Sequence, residues 1–306
     1  MRLEQLAKLR AQIVWSLHDM WAFTGGCHYT NDLCEKYMER CGQCPVLASK
    51  SVTDLSRKVW KRKKKTYENI DNMTVVGLSN WLAYEAKRSS LLSKREIVTL
   101  SNPIDTGVFR PIDKHTARTL WKIPEGAPVV AFGAMNAASD KRKGYDLLIE
   151  ALQRMGRSDI HVIVFGASEA NSFIDEDIPF TVHYTGHLHD DVSLVTLYNA
   201  ADVMVVPSRV EAFGQTASEA MSCGTPAVAF RYSGLVDIID HKENGYLAEP
   251  YKTEDLAAGI EWMLKDIPRL EKLSRAAREK VVKEFDYSVV APKYIELYEN
   301  ILNREK

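Results

Sequence analysis

The chain has 306 residues, 45% of them apolar and 26% charged, enough for two ordinary domains and too apolar for a disordered chain. Forty basic against forty-one acidic side chains leave a net charge of −1, which argues against nucleic acid as a partner. No apolar run approaches the ~18 residues that span a bilayer, and the opening MRLEQLAKLRAQ lacks a signal peptide's apolar centre, so the sequence reads as cytoplasmic.

The first expected strand, QIVWSL at 12–17, delivers His18 to its carboxyl end, the edge where open α/β sheets bind ligands. Taken alone, a strand-end histidine is more often structural. Four cysteines follow within eighteen residues, Cys27, Cys34, Cys41 and Cys44. Without a secretory signal they do not suggest a disulfide framework. Two readings stand side by side: a tetrahedral thiolate set for structural zinc with His28 as a spare ligand, or free thiols, since the spacing fits no finger pattern.

A helix carrying Arg57, Lys58 and Lys61 to Lys65 reads as a solvated face, the alternative being peripheral contact with an anionic membrane. Further strands are expected at 73–77 and 96–100. SNPIDTGVFRP at 101–111 has the prolines and glycine of an interdomain connection. The expected domains are 1–110, a partial N-terminal α/β domain, and 111–285, with a helix at 286–306 packing back on the first.

From residue 127 strands and helices alternate, with apolar runs at 128–132, 161–165, 181–184, 203–206 and 227–230 and a helix at 145–155. That rhythm predicts a doubly wound parallel sheet. Helices are expected at 254–265, 268–285 and 292–303. Asp175-Glu176-Asp177 has the spacing of a metal-binding DxD, but it sits away from any strand end and reads as a solvated acidic loop. Cys223 reads as a small core residue.

The stretch SRVEAFGQTASEAMSCGTPAVAF at 208–230 places Glu211 on the loop leaving the 203–206 strand and Glu219 inside the following helix. A helix N-terminus aimed at the sheet edge suits a diphosphate, and carboxylates on either side of it suit hydroxyl groups. A nucleotide-sugar has that layout. No GxGxxG follows the first strand of either half, which argues against a dehydrogenase.

PSRVEAFGQTASEAMSCGTPAVA resembles the signature of family 4 retaining glycosyltransferases, enzymes of the GT-B fold. KGYDLLIEAL, YTGHL, LYNAADVMVVPS and ENGYLAEP are similar to family segments and run in the same order. The resemblance implies two Rossmann-like domains, the N-terminal one incomplete because this chain starts at the helix before the His18 strand. It implies that Glu211 binds hydroxyls of the transferred sugar and Glu219 the ribose. Backbone amides at Phe213, Gly214, Gln215 and Thr216 would meet sugar and phosphates, and the Gly186–Leu188 turn the base. Lys143 would neutralise the diphosphate. Many relatives carry an arginine directly after the first-strand glycine; here Gly133 is followed by alanine, and Arg142 or Arg209 is left to supply the second positive charge. Through SLHD, similar to the family's TLHD-like segments, His18 would face the donor sugar.

The implied activity is metal-independent transfer of a hexose from a UDP- or GDP-sugar to a glycan or lipid-linked acceptor, as in surface polysaccharide synthesis, without a catalytic cofactor. The alternative is a nucleotide-sugar-binding remnant or subunit lacking independent transfer.

Overall fold

The structure is a computed structural model that describes residues 3–30, 34–133, 140–166 and 179–304. The chain divides into two compact units: Met1–Ser101 with Pro292–Lys306 (unit 1), and Asn102–Ala291 (unit 2).

Unit 1 runs β1 (Ile13–Leu17), α1 (Leu55–Tyr67), β2 (Met73–Gly77), α2 (Asn80–Arg88) and β3 (Glu96–Thr99). Its three strands pair in parallel in the order β1-β2-β3, and β2, buried at every residue, forms the centre. Asp54 starts α1 by accepting the Arg57 N–H at 3.0 Å, and Ser79 starts α2 by accepting that of Leu82 at 3.1 Å; both are N-caps that satisfy otherwise orphaned amides. The buried stripe of α1 includes Ser56, Trp60, Lys63 and Tyr67, the spacing of one helix face. The basic cluster is therefore not a wholly solvated face. Lys63 is completely buried, giving hydrogen bonds to the Trp21 and Thr24 carbonyls, and burial pulls its pKa down to about 7.

Unit 2 follows with α3 (Lys114–Leu120), β4 (Val129–Gly133), α4 (Tyr145–Met155), β5 (His161–Phe165), β6 (Thr181–Tyr184), α5 (Asp191–Ala200), β7 (Val203–Val206) and α6 (Gln215–Ser222). It continues with β8 (Ala227–Phe230), α7 (Leu235–Ile238), β9 (Gly245–Ala248), α8 (Thr253–Leu264) and α9 (Ile267–Glu284). Among the described residues the strands form one parallel sheet in the order β6-β5-β4-β7-β8-β9. Alternate strand residues Val130, Phe132, Val162, Val164, Val203, Val205, Val228 and Phe230 pack with Leu148 and Leu152 of α4 and Leu256, Ile260 and Met263 of α8 in one core. The intervening residues Val129, Ala131, Ile163, Met204 and Ala229 are equally buried, so both faces are covered and the strands read as unbroken apolar runs. The doubly wound sheet expected from the sequence is present, with β9 as an additional strand.

Residues 102–110 belong to unit 2. Ile104 donates its N–H to the Phe285 carbonyl at 2.7 Å, and the Arg278 guanidinium holds the Thr106 and Phe109 carbonyls at 2.9 and 2.7 Å. The last helix, α10 (Tyr287–Asn303), contains Pro292 in its interior, whereas the sequence suggested that Pro292 opens it. Its missing N–H falls at the boundary between the units. Beyond it, Arg304 pairs with both Glu96 oxygens at 2.6 and 2.9 Å and Tyr294 donates to the Leu100 carbonyl at 3.4 Å.

Candidate functional site

In unit 2 the chain moves outward from β4 to β5 and β6, then returns to place β7 on the other side of β4. Such a reversal opens a crevice at the carboxyl ends of the two central strands. Gly133 ends β4, and a Cβ there would lie 2.1 Å from the Phe165 ring. Pro207 and Ser208 follow β7. Gly144, at φ +70°, lets the 3₁₀ turn Lys141–Lys143 close onto that strand end, because a Cβ at 144 would sit 2.0 Å from the Pro207 carbonyl oxygen.

That closure delivers two cations to one carboxylate. Lys143 Nζ donates to Glu211 Oε1 at 2.6 Å, Ser208 Oγ donates to the same oxygen at 2.8 Å, and Arg142 Nη1 lies 3.6 Å away. The Glu211 and Lys143 side chains are only 13% and 22% exposed, so their attraction is less screened than at an open surface. The Glu211 backbone is fixed as well: its N–H donates to Ser233 Oγ at 2.9 Å, and its carbonyl accepts the Gly234 N–H at 2.9 Å.

Beyond Glu211 the Phe213 ring turns into the core, edge-on to Phe285 at 5.5 Å, which leaves its backbone to serve the site. Gly214, at φ +117°, starts α6, and the first amides of Gln215 and Thr216 lack acceptors within the helix by geometry. One turn in, Glu219 accepts from the Tyr198 hydroxyl at 2.9 Å and from the Gln215 amide at 3.0 Å. Burial raises the pKa of its carboxyl, with those two donors pulling the other way.

The two arginines considered for the second charge take different positions. Arg142 adjoins Glu211, donating to the Val210 carbonyl at 3.3 Å. Arg209 is committed to Asp146, at 2.8 and 3.1 Å, and to the Lys141 carbonyl. Gly186, at φ +70°, follows β6 and is tied to the end of β5 by the Gly166 N–H at 2.9 Å; Leu188 beside it is half-buried. Asp175-Glu176-Asp177 lies outside the described residues.

His18 belongs to unit 1, exposed directly after β1. Asp19 accepts the Trp21 N–H at 2.6 Å and holds His28 Nδ1 at 2.7 Å; His28, the spare ligand expected from sequence, is thereby engaged by Asp19. The thiols of Cys27, Cys34, Cys41 and Cys44 are free and line one small cavity in unit 1. Among the described residues no group of three or more His, Cys, Asp or Glu side chains is placed to hold a metal ion. Sequence reasoning missed Tyr198, Ser233 and Gly144; of these only Gly144, in KRKGYD, carries a local signal, a glycine ending a basic turn before a helix.

The family model described as Glycosyl transferases group 1 matches residues 118–280, more than half of the chain. D-inositol 3-phosphate glycosyltransferase of Segniliparus rotundus is 32% identical over 185 residues, 56% of this chain and 40% of that protein. The chain spans about half the length, or less, of the curated relatives it matches first. Among solved structures, sucrose-phosphate synthase from Thermosynechococcus elongatus superposes with a TM-score of 0.74 at 23% identity, covering 97% of this chain and 69% of that one. Anabaena Alr3699/HepE, solved in complex with UDP-glucose, superposes with a TM-score of 0.68 at 18% identity, covering 95% and 73%. At these identities the likeness shows the fold, which is GT-B.

Proposed function

The chain belongs to the glycosyl transferases group 1 family, and from that premise we propose that it is a retaining glycosyltransferase moving a hexose from a UDP- or GDP-sugar to a glycan or lipid-linked acceptor. The observation that carries the reading is the convergence of Lys143, Arg142 and Glu211 at the crevice beside the N-terminus of α6. Loss of a nucleoside diphosphate develops negative charge on the bridging oxygen. Lys143 and Arg142, with the first amides of α6, stabilise that charge where it forms. On the donor's arrival Lys143 shares its charge between Glu211 and the diphosphate, freeing lone pairs of Glu211 for sugar hydroxyls.

Glu219, held by Tyr198 and Gln215, lies one helical turn from the phosphates and is assigned to the ribose. The Gly186–Leu188 turn is assigned to the base. The acceptor hydroxyl attacks the anomeric carbon on the face from which the diphosphate departs and passes its proton to the departing phosphate oxygen, so configuration is retained and no side chain serves as base. His18 is assigned to the donor sugar by the resemblance of its SLHD segment. The relation to the Anabaena structure holding UDP-glucose supports a uridine diphosphate donor as the first to try.

The test is nucleoside diphosphate release from UDP- and GDP-sugars across a panel of glycan and lipid-linked acceptors. Lys143→Ala should lower release by about 100-fold or more, the scale of losing an oxyanion-stabilising group, and Glu211→Ala should lower it too by removing the partner of the sugar hydroxyls. His18→Ala tests the assignment in unit 1 separately. Donor binding without release or transfer would instead favour a nucleotide-sugar-binding chain without independent activity.

A further inference from the structure

We propose that Cys27, Cys34, Cys41 and Cys44 are the ligands of a structural zinc ion seated in the cavity they share in unit 1. The proposal is independent of the donor site. That cavity measures about 10 Å³, roughly the room of one water or one ion, which excludes an organic ligand. Four thiols around a site of that size are the complete ligand set of a closed tetrahedral zinc centre, and an all-sulfur set is soft, disfavouring magnesium and calcium.

Three further features support a thiolate centre. The Cys41–Cys44 turn is folded by Gly42 and Gln43, both at positive φ (+142° and +48°), which brings both of its cysteines to the same cavity. The Gly25 N–H donates to Cys41 Sγ at 3.1 Å, the kind of backbone bond that orients a metal-bound sulfur. Only glycine permits it, since a Cβ at 25 would stand 2.9 Å from that sulfur and 2.7 Å from the Ser56 carbonyl oxygen.

The third is Lys63. Its ammonium is fully buried, and its hydrogen-bond partners among the described residues are the backbone carbonyls of Trp21 and Thr24. It stands 3.7 Å from the Trp21 ring centroid and within electrostatic reach of Cys41, Asp19 and Cys27. A buried cation is costly unless an opposite charge compensates it. A zinc ion with four thiolates carries two net negative charges and adds to the compensation that Asp19 gives.

As they stand, the sulfurs surround the cavity without forming a coordination shell. Closing the sulfurs onto an ion has a conformational cost, which the free energy of zinc–thiolate binding offsets. Each thiol gives its proton to solvent as its sulfur–zinc bond forms. The centre would tie the turns at Cys27, Cys34, Cys41 and Cys44 to one another. The 24–44 segment in turn holds the His18 loop, through the Met20 N–H to the His28 carbonyl at 2.8 Å and the Asp19–His28 pair.

The test is metal analysis of the full chain purified without chelator and dialysed against micromolar zinc. We expect about one zinc per chain, and in cobalt-substituted protein the ligand-field absorption of tetrahedral thiolate coordination. Cys41→Ser should lose about 90% or more of the metal while Cys223→Ser, outside the cluster, keeps it. Stripping the wild-type metal should speed amide exchange in residues 20–67 and leave 203–230 unchanged, a readout that survives if the cysteine variant fails to fold. Zinc near zero in the dialysed wild type, a Cys27–Cys44 disulfide, or iron in its place would each overturn the proposal.

Discussion

At the level of single residues, Glu211 and Glu219 occupy the same stretch and play different electrostatic parts. Glu211 is surrounded by cations. Glu219 has neutral hydrogen-bond donors and is pushed toward its protonated form by burial. A carboxyl whose folded pKa is raised contributes stability that is present below the unfolded value, ~4.3, and lost as pH rises through the folded one. Glu219→Gln removes that dependence and keeps an acceptor for Tyr198. Its melting temperature should gain on that of the wild type as pH rises from ~4.3 through the folded pKa, while UDP affinity falls; an offset that does not change with pH would contradict the account. Both glutamates were legible in the sequence because a strand, a loop and a helix N-terminus leave a local pattern. Tyr198 was not, since its partner lies across a helix pair, and Lys63 was hidden in a run of basic residues whose other members are exposed. The clue was its phase with Trp60 and Tyr67 on one helical stripe.

Among elements, the site depends on how closely the Lys141–Lys143 turn approaches the end of β7. Gly144→Ala introduces a Cβ against the Pro207 carbonyl at a positive φ, a combination that costs at least about 1–3 kcal/mol. Thermal unfolding should show unit 2 destabilised. Donor binding should weaken further than Lys143→Ala alone produces, because Arg142 is displaced together with Lys143; an unchanged melting temperature would mean the turn relaxes freely. Most strands of unit 2 could be read directly, as apolar runs buried on both faces. β9 could not, because Gly245–Ala248 lies within a polar loop-like segment and its burial comes from pairing with β8 and packing against α8. Pro292 misled for a physical reason: proline usually marks a helix start, but here a helix passes through it.

For the whole molecule, the parallel α/β character of both units was legible in composition and rhythm, and the sequence suggested a last helix returning to the N-terminal part. The point of return was not, because it depends on contacts such as Arg304 with Glu96 that no local pattern encodes. Deleting residues 292–306 should leave unit 2 folded and able to bind UDP. Amide exchange in β1 and β3 should accelerate, and protection there equal to that of the full chain would refute the dependence. Unit 2 is one uninterrupted stretch set inside a unit built from two separated ones. During synthesis the inner stretch can therefore complete its contacts before residues 292–306 are available to the outer unit. A nascent chain stalled near residue 291 would hold a finished unit 2 and a unit 1 still missing one of its two segments.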